Sequence, residues 1–80
     1  MINPSRKAQL KWHCRRGMLE LDLILQPFAE KQLEHMTEAQ VDAFDKLLGC
    51  TDPELFSWLM GHEQPPKEWI DIVEFIKLQD

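Results

Sequence analysis

The chain has 80 residues, 44% of them hydrophobic and 29% charged, with a net charge of −5. A chain of this length predicts one small domain that buries about 60–65% of its unfolded surface, which leaves little room for an internal active site. The composition is globular and argues against a disordered segment. No apolar run reaches the roughly 18 residues of a membrane-spanning helix, and the N-terminus lacks the apolar core of a secretory signal. We therefore expect a cytoplasmic protein with no membrane span.

The positive charge is concentrated near the N-terminus. The first 17 residues contain five cations and no acid, whereas the rest of the chain contains four lysines and fourteen acids. A basic helix could bind nucleic acid, but nucleic-acid-binding domains are usually basic as a whole, and this one is acidic. A solvated helix face, or a surface for an acidic patch on another protein, explains the cations better. We expect no nucleic-acid partner.

Capping signals and apolar stripes at helical spacing divide the chain into helices. Asn3-Pro4 and the capping box formed by Thr37 and Gln40 mark two helix starts, and Asp52-Pro53 is interpreted as the cap and first residue of another. Pro27 predicts a kink or break inside the second helix. No segment alternates long enough to be a strand. We predict an all-α fold, a compact five-helix bundle in a single domain spanning 1–80, with helices at about 4–15, 18–34, 38–48, 53–60 and 66–78.

Catalytic and metal-binding patterns are weak. Cys14 and Cys50 belong to no CxxC pair, so we expect no disulfide and interpret both as buried or half-buried residues. Two arginines follow Cys14 and could activate its thiol, but no general base accompanies it. A metal cluster of these cysteines with His13 and His62 lacks zinc spacing, and adjacent helical residues point about 100° apart. We expect no catalytic residue, no metal site and no enzymatic activity.

The segment Arg15–Asp22 combines two cations, a glycine and two acids between the first two helices. Gly17 is most simply the C-cap of the first helix, and Glu20 and Asp22 suit the positive end of the next helix dipole. The alternative is a charged ridge that docks into another protein. Trp12, just before this segment, is interpreted as a core residue in preference to a partner-facing one.

Residues 16–20 read Arg-Gly-Met-Leu-Glu and match an RGxxE motif, which is preceded by WxCRR at 12–16 and followed by DPxLFxWL at 52–59. RGxxE alone occurs by chance in many proteins, but the combination is specific. On these residues the chain resembles the succinate dehydrogenase assembly factor 2 family, also called SdhE or flavinator proteins. The resemblance covers about residues 6–60 and is looser in the last helix.

The resemblance implies a bacterial FAD assembly factor, a flavinylation chaperone without a catalytic site of its own. It would bind the flavoprotein subunit of succinate dehydrogenase, and of fumarate reductase, and promote covalent attachment of FAD to a histidine of that subunit. FAD then belongs to the partner, this chain has no cofactor of its own, and a transient contact with FAD stays open. An antitoxin-like regulatory protein using the same surface is the alternative. We expect a monomer.

The resemblance also implies a partner-binding site at the motif. Arg16 would pair with an acid or polar backbone group of the partner, and Gly17 would allow close backbone approach. Glu20 would accept a hydrogen bond or orient Arg16. Arg15, Asp22 and Trp58 are expected at the rim of the same site.

Overall fold

The computed structural model describes residues 3–78, and all of their regular structure is helical. The helices are α1 (Pro4–His13), α2 (Leu19–Gln32), α3 (Glu38–Leu47), α4 (Asp52–Leu59) and α5 (Lys67–Lys77), and a 3₁₀ turn, Leu33–His35, follows α2. No strand occurs between residues 3 and 78, so the predicted all-α fold with five helices is confirmed. None of these helices is long and apolar enough to cross a membrane.

Two helices begin at the caps that the sequence predicts. The Asn3 side-chain oxygen accepts a hydrogen bond from the Ser5 N–H at 2.7 Å, at the start of α1. At the start of α3 the Thr37 hydroxyl accepts from the Gln40 N–H at 3.1 Å, and the Gln40 side chain accepts from the Thr37 N–H at 2.9 Å. These bonds satisfy backbone donors that a helix N-terminus leaves unpaired, which explains why the helices start where they do.

The start of α4 differs from the prediction, because Thr51 and not Asp52 is the cap. The Thr51 N–H donates to the Glu54 carboxylate at 3.0 Å, and the Glu54 N–H donates to the Thr51 hydroxyl at 3.4 Å. The bond from the Thr51 N–H lowers the pKa of the Glu54 carboxyl. Asp52 is therefore the first residue inside the helix, and its side chain is available for a contact elsewhere in the fold.

Pro27 lies inside α2, which continues past it to Gln32 without the break that the sequence suggested. A proline leaves the carbonyl four residues earlier without its helical donor, here the carbonyl of Leu23. Both Pro27 and Leu23 are exposed. Because this side of the helix faces solvent, water can hydrate the carbonyl, and the helix tolerates the proline.

The end of α4 is a Schellman motif around Gly61. Gly61 has a left-handed φ of +79°, its N–H donates to the Trp58 carbonyl at 3.3 Å, and the His62 N–H donates to the Ser57 carbonyl at 2.8 Å. Glycine is favoured here because other residues enter this region at a cost of about 1–2 kcal/mol.

One apolar core joins the helices. α2 packs on α1 and α4, and α5 packs on α3 and α4. Phe28 of α2 lies at its centre, with ring centroids 5.1 Å from Phe44 of α3 and 5.8 Å from Phe75 of α5. The Cα radius of gyration is 11.6 Å, equal to the value of about 12 Å expected for a compact chain of this length. The core holds α1 and α2 side by side and so positions the loop between them.

Candidate partner-binding site

The loop between α1 and α2 carries the RGxxE motif. α1 ends at His13, two residues earlier than predicted, and its C-cap is Cys14 in a right-handed conformation. Gly17 is therefore not the cap of α1, which corrects the expectation from sequence. It lies in the loop with a left-handed φ of +81°, and a Cβ built on it would have no atom within 4 Å. The glycine is needed for the backbone conformation, and open space surrounds it.

The Arg16 side chain points into the protein. Its Nε donates to the Asp52 carboxylate at 2.7 Å, Nη1 to the Leu48 carbonyl at 2.7 Å, and Nη2 to the Cys50 carbonyl at 2.8 Å. A longer bond of 3.2 Å joins Nη1 to the His13 carbonyl. Only 16% of the side chain is exposed. Arg16, expected to pair with a partner, ties the motif loop to residues 48–52 of its own chain.

Asp22 fixes the other side of the loop. Its carboxylate accepts the backbone N–H of Arg16 at 2.9 Å, from its position in the first turn of α2. The residue preceding that helix, Met18, supplies no side-chain cap. Asp22 is half-buried. The acid combines a favourable position in the helix dipole with a direct hydrogen bond to the motif.

The remaining expected site residues separate into exposed and buried ones. Arg15, Gly17 and Glu20 are exposed. The Glu20 side chain makes no hydrogen bond or ion pair within residues 3–78, and it does not orient Arg16 there. Trp58, expected at the rim, is only 7% exposed and belongs to the core. The structure thus brings Arg15, Gly17 and Glu20 to the surface and leaves Trp58 away from it.

Three apolar side chains in or beside the motif are unusually exposed. Trp12 is 68%, Leu19 68% and Leu23 66% accessible to solvent. Trp12 was expected in the core, but it projects from α1, and the Arg15 guanidinium lies 5.9 Å from its ring centroid. The two leucines share a face of α2, outside the buried stripe of Leu21 and Leu25. Leu19 and Leu23 lie two positions before Leu21 and Leu25, which puts them on a different face of the helix. This spacing is the signal in the sequence that could have identified them as exposed.

Acids from other helices pair with most cations of α1. Arg6 donates to Asp42 of α3 at 2.6 Å, and Lys7 pairs with Glu34 of the 3₁₀ turn. The hydrogen bond from Lys7 lowers the pKa of Glu34. Lys11 lies 3.9 Å from Glu30 of α2. The N-terminal positive charge is thus largely balanced within the fold, which leaves less of it available for a nucleic-acid backbone.

Comparison with known proteins shows the relationship of the chain. Residues 8–79 match the Sdh5 family, described as the flavinator of succinate dehydrogenase. The chain is 56% identical over 76 residues to proteins named FAD assembly factor SdhE from Legionella pneumophila strains Lens and Paris, covering 95% of this chain and 96% of each relative. It is 53% identical over 62 residues to the protein of that name from Aliivibrio fischeri, covering 78% of this chain and 72% of the relative.

The chain belongs to the Sdh5 family. This membership confirms the resemblance drawn from the RGxxE and DPxLFxWL segments. The match also continues through α5 to residue 79, beyond the limit of about residue 60 that the motifs suggested. The Sdh5 family is one of assembly factors and not of enzymes.

The cysteines of this Sdh5 family member are placed as structural residues. Cys14 is fully buried, Cys50 is half-buried, and both are free thiols. Burial raises the pKa of Cys14 to about 12, even though the nearby Arg16 guanidinium opposes the shift. Burial also raises the pKa of Cys50. The thiolate is the nucleophilic form, so both thiols are poorly suited to catalysis near neutral pH. Within residues 3–78 no group of three or more His, Cys, Asp or Glu residues is arranged to hold a metal.

We expect Cys14 to resist thiol reagents near neutral pH in the folded protein and to react quickly in denaturant. Its folded pKa of about 12 lies above the ordinary value of 9.0, so its stabilising contribution is present below about pH 9 and is lost as pH rises toward 12. Labelling followed by mass spectrometry, and urea midpoints measured across this range, test both statements. In the Cys14→Ala variant the stability should fall less as pH rises from about 9 to 12, because the contribution of Cys14 to that fall is absent. Rapid native labelling of Cys14 would contradict its burial.

Proposed function

We propose that this chain is an FAD assembly factor that binds the flavoprotein subunit of succinate dehydrogenase and promotes covalent attachment of FAD to it. The observation that carries the proposal is the family match over residues 8–79, which contains the whole motif loop. The relatives named FAD assembly factor SdhE support the same role. The flavoprotein subunit of fumarate reductase is a second proposed partner, and the protein is proposed to act in the bacterial cytoplasm.

The proposed contact region, here called the docking surface, consists of Trp12, Arg15, Gly17, Leu19, Glu20 and Leu23. Trp12 and Arg15 line a groove whose opposite wall includes Gln26 of α2. Leu23 lies one turn before Gln26, and Leu19 one turn before Leu23, so the apolar side chains continue from the groove toward the motif loop.

The docking surface has the composition of a protein interface. Large exposed apolar side chains can be desolvated by a partner, and aromatic and arginine side chains contribute strongly to binding. Arg15 and Glu20 supply exposed opposite charges within it. Gly17 adds bare backbone that a partner can approach closely, because a Cβ there would point into open space.

The proposed mechanism is positioning of the partner. The chain would stabilise the flavoprotein in a state in which its histidine and the flavin 8-methyl carbon are correctly placed for bond formation. In this proposal FAD remains the partner's cofactor and the linkage chemistry occurs in the partner. Binding energy from the docking surface supplies the bias toward the productive state.

A complementation experiment tests the function. We expect a bacterial strain that lacks its own flavinator to show strongly reduced covalent flavin fluorescence of the dehydrogenase flavoprotein in a denaturing gel. Expression of this chain should restore it. A variant with Trp12, Leu19 and Leu23 replaced by serine should restore much less, whereas replacement of the similarly exposed Leu78 should have no effect. Equal flavin fluorescence in the deficient strain with and without expression of this chain would refute the proposal.

A further inference from the structure

Most of the hydrogen-bonding capacity of Arg16 is already used within the fold. A guanidinium carries five N–H donors. Four bonds from Arg16 reach acceptors of this chain, which are Asp52 and three backbone carbonyls. One donor remains, so Arg16 has no two-pronged donor pair left for a carboxylate of another protein. To bind a partner in that way it would have to abandon contacts that satisfy part-buried groups.

These contacts fix the motif loop from two sides. The Arg16 guanidinium attaches it to the segment 48–52, and the Arg16 backbone N–H attaches it to Asp22 of α2. No side chain caps the start of α2, and a Cβ built on Gly17 would have no atom within 4 Å. We call the set of Arg16, Asp22 and Asp52 with these carbonyls the Arg16 clamp. It is the principal polar restraint on the loop that the described residues show.

We propose that Arg16 is a positioning residue of the docking surface, which acts through the Arg16 clamp and does not contact the flavoprotein. The clamp holds the left-handed turn at Gly17 and thereby the placement of Arg15 and Glu20 on either side of it. Asp52, which lies on α4 and outside the docking surface, becomes a functional residue for the same reason. This inference rests on the proposed function, because the loop has to be placed for a partner.

Affinity for the purified flavoprotein subunit, measured for single and double variants, tests the proposal. We expect Arg16→Ala and Asp52→Ala each to weaken binding by about tenfold or more, and the double variant to lose little beyond Arg16→Ala, because partners in one network are not additive. In the free protein, amide exchange of residues 15–18 should accelerate in all three variants. Thr51→Ala is the matched control, since it weakens the same start of α4 without touching the clamp.

The outcomes are distinct. Thr51→Ala should bind within about twofold of the unchanged chain, because its mutation removes a cap and not a clamp contact. If Asp52→Ala binds normally while Arg16→Ala does not, Arg16 contacts the partner directly and the proposal is overturned. Unchanged amide exchange of residues 15–18 in the Arg16→Ala and Asp52→Ala variants would also overturn the proposal. This measurement is made on the free protein and needs no partner. If Arg16→Ala fails to fold, the same comparison is made with Arg16→Lys and Asp52→Asn. If the unchanged chain does not bind the flavoprotein subunit, the proposed function is refuted instead.

Discussion

Gly17→Arg is expected to abolish binding to the flavoprotein subunit while the five helices stay folded. Gly17 has a φ of +81°, so any side chain there is strained, at a cost of about 1–2 kcal/mol. No atom lies within 4 Å of a Cβ at this position, so the start of the arginine side chain fits without a clash. It would instead extend from the middle of the docking surface and hold the partner away from the backbone.

Gly61→Arg is the matched control for this prediction. Gly61 has almost the same φ, +79°, and only the end of the Lys77 side chain lies near an added Cβ, at 3.9 Å. The two variants should therefore lose similar stability, whereas only Gly17→Arg should lose binding and the ability to restore flavin fluorescence. Circular dichroism melts and binding titrations separate the effects. If both variants lose binding, the cause is backbone strain and not a contact with the partner. If Gly17→Arg binds normally, Gly17 is not part of the interface.

Phe44→Ala is expected to be the most destabilising of these substitutions. Phe44 is completely buried and contacts Phe28 at the centre of the core. Removing a buried phenylalanine side chain typically costs about 3–5 kcal/mol, and small domains have only about 5–15 kcal/mol in total. We expect the melting temperature to fall by roughly 15 °C or more. Urea and thermal unfolding followed by circular dichroism measure the change.

Trp12→Ala is the comparison, because it also removes an aromatic ring but from the surface. With 68% of Trp12 exposed, its removal should change the free energy of unfolding by no more than about 0.5 kcal/mol. Its effect should appear in binding to the flavoprotein subunit. A large loss of stability in Trp12→Ala would show that the tryptophan packs in the core, as its sequence pattern had suggested. A Phe44→Ala protein as stable as the unchanged chain would contradict the described core.

Local signals in the sequence were sufficient for the starts of α1 and α3. Asn3-Pro4 and the Thr37 capping box act over three or four residues, so the interactions that start those helices can be read directly from neighbouring positions. The error at α4 was also local: Thr51 and Glu54 form a capping box that takes precedence over Asp52. Recognition of that box would have placed Asp52 inside the helix and left its carboxylate in need of a partner.

Contacts between distant segments could not be read in this way. Arg16 and Asp52 are separated by 36 positions, and periodicity within either helix says nothing about their meeting. The same limit explains the different burial of Trp12 and Trp58. Trp12 lies one turn from Ala8 and Trp58 lies next to Leu59, yet Trp12 is exposed and Trp58 is buried, because burial depends on which helix packs against each face. The motif identified the loop that is proposed for docking, but the division of that loop into inward and outward side chains is a tertiary property.

The contacts of Arg16 have a consequence for the order of assembly during synthesis. A chain is made from its N-terminus, and residue 16 is available long before Leu48, Cys50 and Asp52. The loop that carries the motif therefore cannot reach its final arrangement until α4 has emerged and packed. A nascent or truncated chain ending before residue 52 would contain the complete RGxxE motif in an unfinished shape. If the flavoprotein is recognised through that loop, as proposed, chains that end before residue 52 should not bind it.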